Sequence, residues 1–203
     1  MERREAIERL NNLVGQELHE LAKKYGVTVT GPNGRANKGW AGHVIERYLG
    51  LPQNSAQSPN FGSWELKSIP LIVQPNGEFK IKETMAITMI DPYNVARTSF
   101  EDSHLLAKLK KFVLVTRTVG EKYQDPSYIN SIISVDLEGK LYQIIKRDYE
   151  EIQSCIIDPA RGFGKLTGKM GTYIQPRTKG AGHGSTSRAF YARKDFLKEI
   201  IHI

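Results

Sequence analysis

A single cysteine, Cys155, excludes an internal disulfide and supplies no metal-thiolate set, so the chain is expected to rely on core packing in a reducing cytoplasm. No run approaches the roughly 18 apolar residues of a membrane span. The opening Met-Glu-Arg-Arg-Glu-Ala-Ile is too charged for a signal peptide, and no membrane partner is expected. His43, His104, His183 and His202 are too scattered for a zinc site. Gly180-Ala181-Gly182-His183-Gly184 lacks the lysine that follows a phosphate-binding glycine loop, which disfavours a nucleotide-driven motor. Repeats, low-complexity tracts and heptads are missing as well. The most informative absence is acidic: from Pro159 to Lys194 there is no Asp or Glu, whereas Arg161, Lys165, Lys169, Arg177, Lys179, Arg188, Arg193 and Lys194 all fall there. The whole chain carries a net charge of +7, so the remainder is close to neutral. A basic, glycine-rich stretch of that length points to nucleic acid as the partner.

What is present is organised around Ser58 to Pro70. Pro59, Asn60, Gly62 and Ser63 are turn residues, and Trp64 to Ile69 alternates with the period of a strand. That period puts Glu65 and Lys67 on one face, roughly 7 Å apart, with Leu66 pointing the other way. Hydrolysis of a phosphodiester uses a divalent cation held by oxygens, which activates water and offsets charge in the transition state. Glu65 can hold such a cation, and Lys67 can hold the attacking water or neutralise charge on phosphorus. The preceding turn is where a second acid belongs, and Asn60 occupies it. The mundane alternative is an exposed ion pair between Glu65 and Lys67, worth under about 1 kcal/mol.

With 203 residues and an ordinary apolar fraction, the chain fits one generous domain or two small lobes. Residues 3 to 24 are helical in spacing but broken by Asn11-Asn12 and Gly15, predicting two short helices or one interrupted one. A further amphipathic helix is predicted from Asn37, a candidate N-cap, to Gly50. Glu46 neighbours its apolar stripe, and reads either as a half-exposed helix residue or as an acid facing a cleft. Strands are expected through Val73, from Phe79 back to Ile90, over Phe112 to Thr118 and over Ile129 to Val135. Helices are expected from Ser103-His104 to Leu109 and from about Tyr142 to Ile157.

Asn37-Lys38-Gly39-Trp40 with Gly42 and Glu46, then Glu65-Leu66-Lys67-Ser68-Ile69-Pro70, resembles the MutH mismatch-repair nickases and related type II restriction enzymes. Pro59-Asn60 with Glu65-Leu66-Lys67 resembles their PD-(D/E)xK signature. Glu83-Thr84, Ser103-His104 with Lys108-Leu109-Lys110, and Gln175, Arg177, Lys179-Gly180-Ala181, Phe190-Tyr191 and Phe196 extend the likeness from Asn37 to Phe196. The resemblance implies an α/β fold with a restriction-endonuclease-like core, a central mixed sheet flanked by helices and a DNA cleft between two lobes. One endonuclease domain over 1–203 is then expected, catalytic to about residue 120 and DNA-reading beyond. It further implies catalytic roles for Glu46, Asn60, Glu65, Lys67 and Lys108, and metal ligation at Asn60, Glu65 and Leu66. DNA contacts would fall to Lys38, Arg177, Lys179, Arg188 and Tyr191. The implied cofactor is Mg2+, with Mn2+ able to substitute. The implied partners are double-stranded DNA, met as monomer or homodimer, and a cognate DNA methyltransferase. GATC is the target that the resemblance suggests.

Asn60 stands where the signature has Asp, with Ser58 a poorer counterpart, so the chain is expected to bind its site and cut slowly or not at all. Ala86 falls where MutH has an aromatic that probes DNA. Three functions remain open: a restriction enzyme cutting both strands, which is preferred, a mismatch-repair nickase, and a DNA-binding module that no longer cuts.

Overall fold

Apolar residues three and four apart make the start of the chain helical, and a glycine interrupts it. In a computed structural model, which describes residues 1–35, 37–51, 59–180 and 186–203, α1 (Arg3–Asn11) and α2 (Leu18–Lys24) are separated by a turn with Gly15 at φ +81°. Two short helices were one of the two expectations, and they form. α3 (Trp40–Tyr48) follows, but Asn37 is not its cap. The cap position is Gly39, in the left-handed region at φ +92°, while the Asn37 amide donates to the Thr28 carbonyl at 2.8 Å. Because that side chain fastens the preceding loop, glycine makes the bend instead. The loop of residues 54–58, with Ser58, lies outside the described residues, as do Ala181 and His183.

The elements that follow are β1 (Glu65–Val73), β2 (Phe79–Ile81), β3 (Met85–Met89), α4 (Pro92–Arg97), α5 (His104–Leu109), β4 (Lys111–Thr118), β5 (Ile129–Asp136), α6 (Gly139–Ile157), a 3-10 turn (Phe163–Lys165), β6 (Ile174–Thr178), β7 (Arg188–Ala192) and α7 (Lys194–Ile201). Ser103 caps α5 by accepting the Leu106 N–H at 3.1 Å. One expectation fails: Phe79 to Ile90 is not a single returning strand. β2 pairs with β1 for three residues, and β3 joins a different sheet. Lys82-Glu83-Thr84, three polar residues in a row, break the alternation that a continuous strand needs.

Contacts divide the chain into two units. The first holds Met1–Glu83, Phe112–Val135 and Ile203; the second holds Thr84–Lys111 and Asp136–His202. In the first, a four-stranded sheet runs β2-β1-β4-β5, with β1 antiparallel to β2 and parallel to β4. Leu66, Val113 and Val115 on one face of that sheet share a core with Leu10, Leu18, Val44 and Ile45 of the three leading helices. In the second, the antiparallel sheet β3-β7-β6 packs on α6, where Phe190 stacks on Tyr149 at 5.9 Å. The class is therefore mixed α/β, with a mixed sheet and helices packed against it, as expected. Among the described residues no helix is long and apolar enough to cross a membrane.

Candidate active site

Pro59 to Gly62 form a tight turn, closed by the Gly62 N–H to the Pro59 carbonyl at 3.1 Å, with Gly62 at φ +74°. Phe61 lies flat on buried Trp64, ring centroids 3.8 Å apart, and its N–H donates to the Trp64 carbonyl. The stack holds the turn against the first residue of β1. The Asn60 N–H then donates to Glu65 Oε2 at 2.8 Å, and the Asn60 Nδ2 donates to Glu46 Oε1 at 2.8 Å. Lys67 Nζ donates to Glu65 Oε1 at 2.8 Å. Four predicted site residues thus meet: Glu46 from α3, Asn60 from the turn, and Glu65 and Lys67 from β1.

The pair of Glu65 and Lys67 is not the exposed ion pair of the mundane reading. The Glu65 carboxylate is only 2% exposed, and the Lys67 side chain 16%. Removing a carboxylate from water is costly unless charged or hydrogen-bonding partners compensate, and here Asn60 and Lys67 both do. β1 sets this geometry by parity: Glu65 and Lys67 take one face, while Leu66 is buried in the core on the other. For a cation, Leu66 therefore offers only its backbone carbonyl. Carboxylate, amide and carbonyl oxygens make up a donor set suited to a hard divalent ion. Among the described residues, no three of His, Cys, Asp and Glu form a group that could hold a metal ion, and position 60 contributes an amide. The residues fit such an ion, with one negative charge fewer than an aspartate there would give.

The other predicted residues lie apart from this cluster in the chain. Lys38 is exposed in the turn before α3, and Lys108 is buried in α5 of the second unit. In the second unit, β6 and β7 pair Gln175 with Tyr191 and Arg177 with Ala189. Arg177 and Tyr191 therefore share the sheet face opposite Phe190. Arg177 donates to Thr84 Oγ1 at 2.9 Å and sits 5.6 Å from the Tyr191 ring centre. Lys179 is exposed one residue beyond β6, its N–H bonded to the Ser187 carbonyl. Arg188 alternates to the other face, lying against Phe163 and donating to the Gly164 carbonyl at 3.2 Å. The acid-free segment is thus not one patch. Arg161 pairs with Asp158, and Arg193 turns inward to the carbonyls of Gly168, Met170 and Gly171.

Sequence reasoning missed what holds that sheet in place. Asp148, 3% exposed, accepts the backbone N–H groups of Thr172, Tyr173 and Ile174 at 2.7, 2.6 and 2.7 Å. Gly171 permits the turn, since a Cβ there would meet the Ile174 carbonyl oxygen at 1.9 Å. A signal was available: Asp148 falls in the buried stripe of α6 between Ile144, Ile145 and Ile152, where an acid needs donors.

The family model of the DNA mismatch repair enzyme MutH matches residues 49–154, and that of the MvaI/BcnI restriction endonuclease family matches residues 16–72. The DNA mismatch repair protein MutH of Vibrio campbellii is 27% identical over 215 residues, covering 97% of this chain and 92% of its own. The protein of the same name from Shewanella woodyi is 32% identical over 216 residues, covering 97% and 90%. Among solved structures, a complex of the restriction endonuclease MvaI with its cognate DNA substrate matches with a TM-score of 0.42 at 13% identity, over 98% of this chain and 97% of that one. The MutH model takes in Asn60, Glu65, Lys67 and Lys108, and the likeness to whole MutH proteins runs nearly end to end, so this chain belongs to the MutH family of DNA endonucleases.

Proposed function

We propose that this chain is a restriction-type endonuclease that hydrolyses both strands of DNA at a short palindrome, GATC, with Mg2+ as cofactor. The observation that carries the reading is the meeting of Glu46, Asn60, Glu65 and Lys67 at the start of β1. Glu65, Asn60 and the Leu66 carbonyl would hold the cation, with Glu46 beside them. When bound, the cation supplies a more acidic water and offsets charge on the phosphoryl oxygens. The protein's own part is positional. Asn60 fixes the Glu65 carboxylate through its backbone N–H, and Lys67 presents an ammonium that orients the attacking water or offsets charge at phosphorus. Arg177, Lys179 and Tyr191 would face the DNA, with arginine suited to a guanine edge and lysine to guanine or phosphate. Lys108 would approach the cleaved strand.

The restriction reading is supported by the MvaI/BcnI match, whose span of 16–72 takes in Glu46 together with Lys67. A nicking reading has its own support in the relatives named MutH, which align along almost their whole length. Supercoiled plasmid separates them when treated with the Asn60→Asp variant and magnesium. Linear product supports restriction, and accumulating nicked circles support the nickase. A plasmid left unchanged by a variant that still binds DNA would leave only the binding module. A methyltransferase that protects the same site is the expected system partner, and the cytoplasm the expected place of action.

A further inference from the structure

Met89 and Thr88 are placed against their chemistry. Met89 is 37% exposed, whereas Thr88 is 6% exposed and pairs with buried Phe190. The cause is a bulge in β3. Met85 pairs with Ala192 and Ala86 with Tyr191, but the register then shifts, so that Thr88 pairs with Phe190 and Met89 with Ala189. An unbroken strand would have turned Met89 to the buried face and Thr88 outward. Bulges re-aim side chains, and they recur beside functional surfaces. A threonine taken inside and a methionine sent out are the reverse of what burial alone selects.

The shift sets Met89 in a row with Ala189 and Arg177, since Ala189 pairs with Met89 on one side and Arg177 on the other. Ala189 carries only a methyl and is fully covered, so the two long side chains flank a position that presents no surface of its own. The neighbouring row is Ala86, Tyr191 and Gln175. One sheet face thus carries an exposed guanidinium steadied by Thr84 and, one covered residue away, the partly exposed, flexible apolar chain of Met89. In the major groove guanine presents acceptors that suit arginine, and thymine presents a methyl group that suits an apolar side chain.

We infer that Met89 is a specificity-determining residue that packs against the 5-methyl group of a thymine in the recognition site. This rests on the proposed reading that the Arg177 face lies on DNA. The test uses the chain as it is, with binding followed by fluorescence anisotropy at fixed salt. The probes are a duplex containing GATC, the same duplex with uracil in place of the site's thymines, and a random duplex. Loss of a methyl contact lowers affinity about fourfold per methyl. The chain should lose that factor on the uracil duplex, and Met89→Ala should bind thymine and uracil duplexes alike, at the level at which the unaltered chain binds uracil. Equal uracil penalties in both proteins, or none in either, would overturn the inference. Arg177→Ala separates this failure from that of the underlying reading. If it loses affinity selectively on GATC while Met89→Ala does not respond to the methyl, only the role of Met89 is lost. If it weakens all three duplexes equally, the face does not read bases and both ideas fall. Met89 is partly exposed, so cooperative melting of Met89→Ala within about 8 °C of the unaltered chain is expected and checks its fold.

Discussion

Replacing Asn60 by Asp probes the centre of the site. In the present chain Asn60 Nδ2 donates to Glu46 at 2.8 Å, and its N–H donates to buried Glu65 at 2.8 Å. Aspartate removes the first donor and sets a third carboxylate beside two others. For charge centres about 4 Å apart in a medium of effective dielectric near 20, one such repulsion is worth about 4 kcal/mol. Proton uptake or side-chain movement will relieve part of it. Asn60→Asp should therefore be about 2–4 kcal/mol less stable than the present chain in EDTA. A bound divalent cation offsets this loss, because three carboxylates hold it better than two. At a concentration a hundredfold above its dissociation constant, it returns about 2.7 kcal/mol. Thermal denaturation with EDTA and with magnesium should show a large metal-dependent rise for the variant and a small one for the present chain. Cleavage of GATC plasmid should rise at least about a hundredfold, the scale on which a misplaced catalytic group matters. A variant that gains neither metal-dependent stability nor cleavage shows that position 60 is no metal position, and Glu46 becomes the next acid to test.

In the Asn60→Asp background, Lys67→Ala should abolish cleavage and leave affinity for cognate DNA within about tenfold, because what is lost acts in the transition state. Survival of cleavage together with loss of the footprint would make Lys67 structural. Asp148→Ala leaves three backbone N–H groups without their acceptor and should cost about 3 kcal/mol or more by urea denaturation. A loss under about 1 kcal/mol would mean that water replaces the carboxylate at little cost. Burial alone pushes the Glu17 carboxyl up, but hydrogen bonds from the Ser127 N–H, the His19 ring and the His19 and Glu20 N–H groups outweigh it and bring it down from 4.5 to about 2. A lowered carboxyl pKa contributes stability that is present above 4.5 and lost as pH falls towards 2. Glu17→Gln should flatten that acid limb in urea midpoints, and an unchanged limb would refute the assignment.

The part of the site that depends on period and turn chemistry was legible in the sequence. Glu65, Leu66 and Lys67 follow from alternation, and Pro59-Asn60 with Gly62 reads as a turn from residue type alone. The join between Glu46 and Asn60 was not legible as such, since it depends on how α3 approaches β1, and sequence spacing only placed Glu46 beside an apolar stripe. The second sheet was largely hidden. β6 and β7 are five residues each, β6 carries a proline and a glycine-rich stretch separates the two, so neither alternation nor apolar content distinguishes them from a basic loop. The bulge in β3 is invisible for a different reason: nothing in Met-Ala-Ile-Thr-Met announces that an extra residue will turn Met89 outward. The count of basic residues suggested a broad patch, and hydrogen bonds to local carbonyls and to Asp158 take several of them out of it.

Leu66 is where the core and the chemistry meet. Its side chain is packed among Trp64, Val113 and Val115, and register pairs it with Val113 while Glu65 pairs with Phe112 and Lys67 with Leu114. A slip of one residue in β1 would turn Leu66 out and drive Lys67 into the apolar core, at a cost far above that of any single surface contact. The face of Glu65 and Lys67 also carries buried Ile69 and Leu71, so apolar burial on both sides of β1, and not an interaction between the two polar groups, fixes where they stand. Their ion pair then needs only to orient side chains already placed. This also accounts for the spacing of the motif. One apolar residue between a carboxylate and an ammonium is the shortest pattern in a strand that sets both on one face and lets the core hold the register.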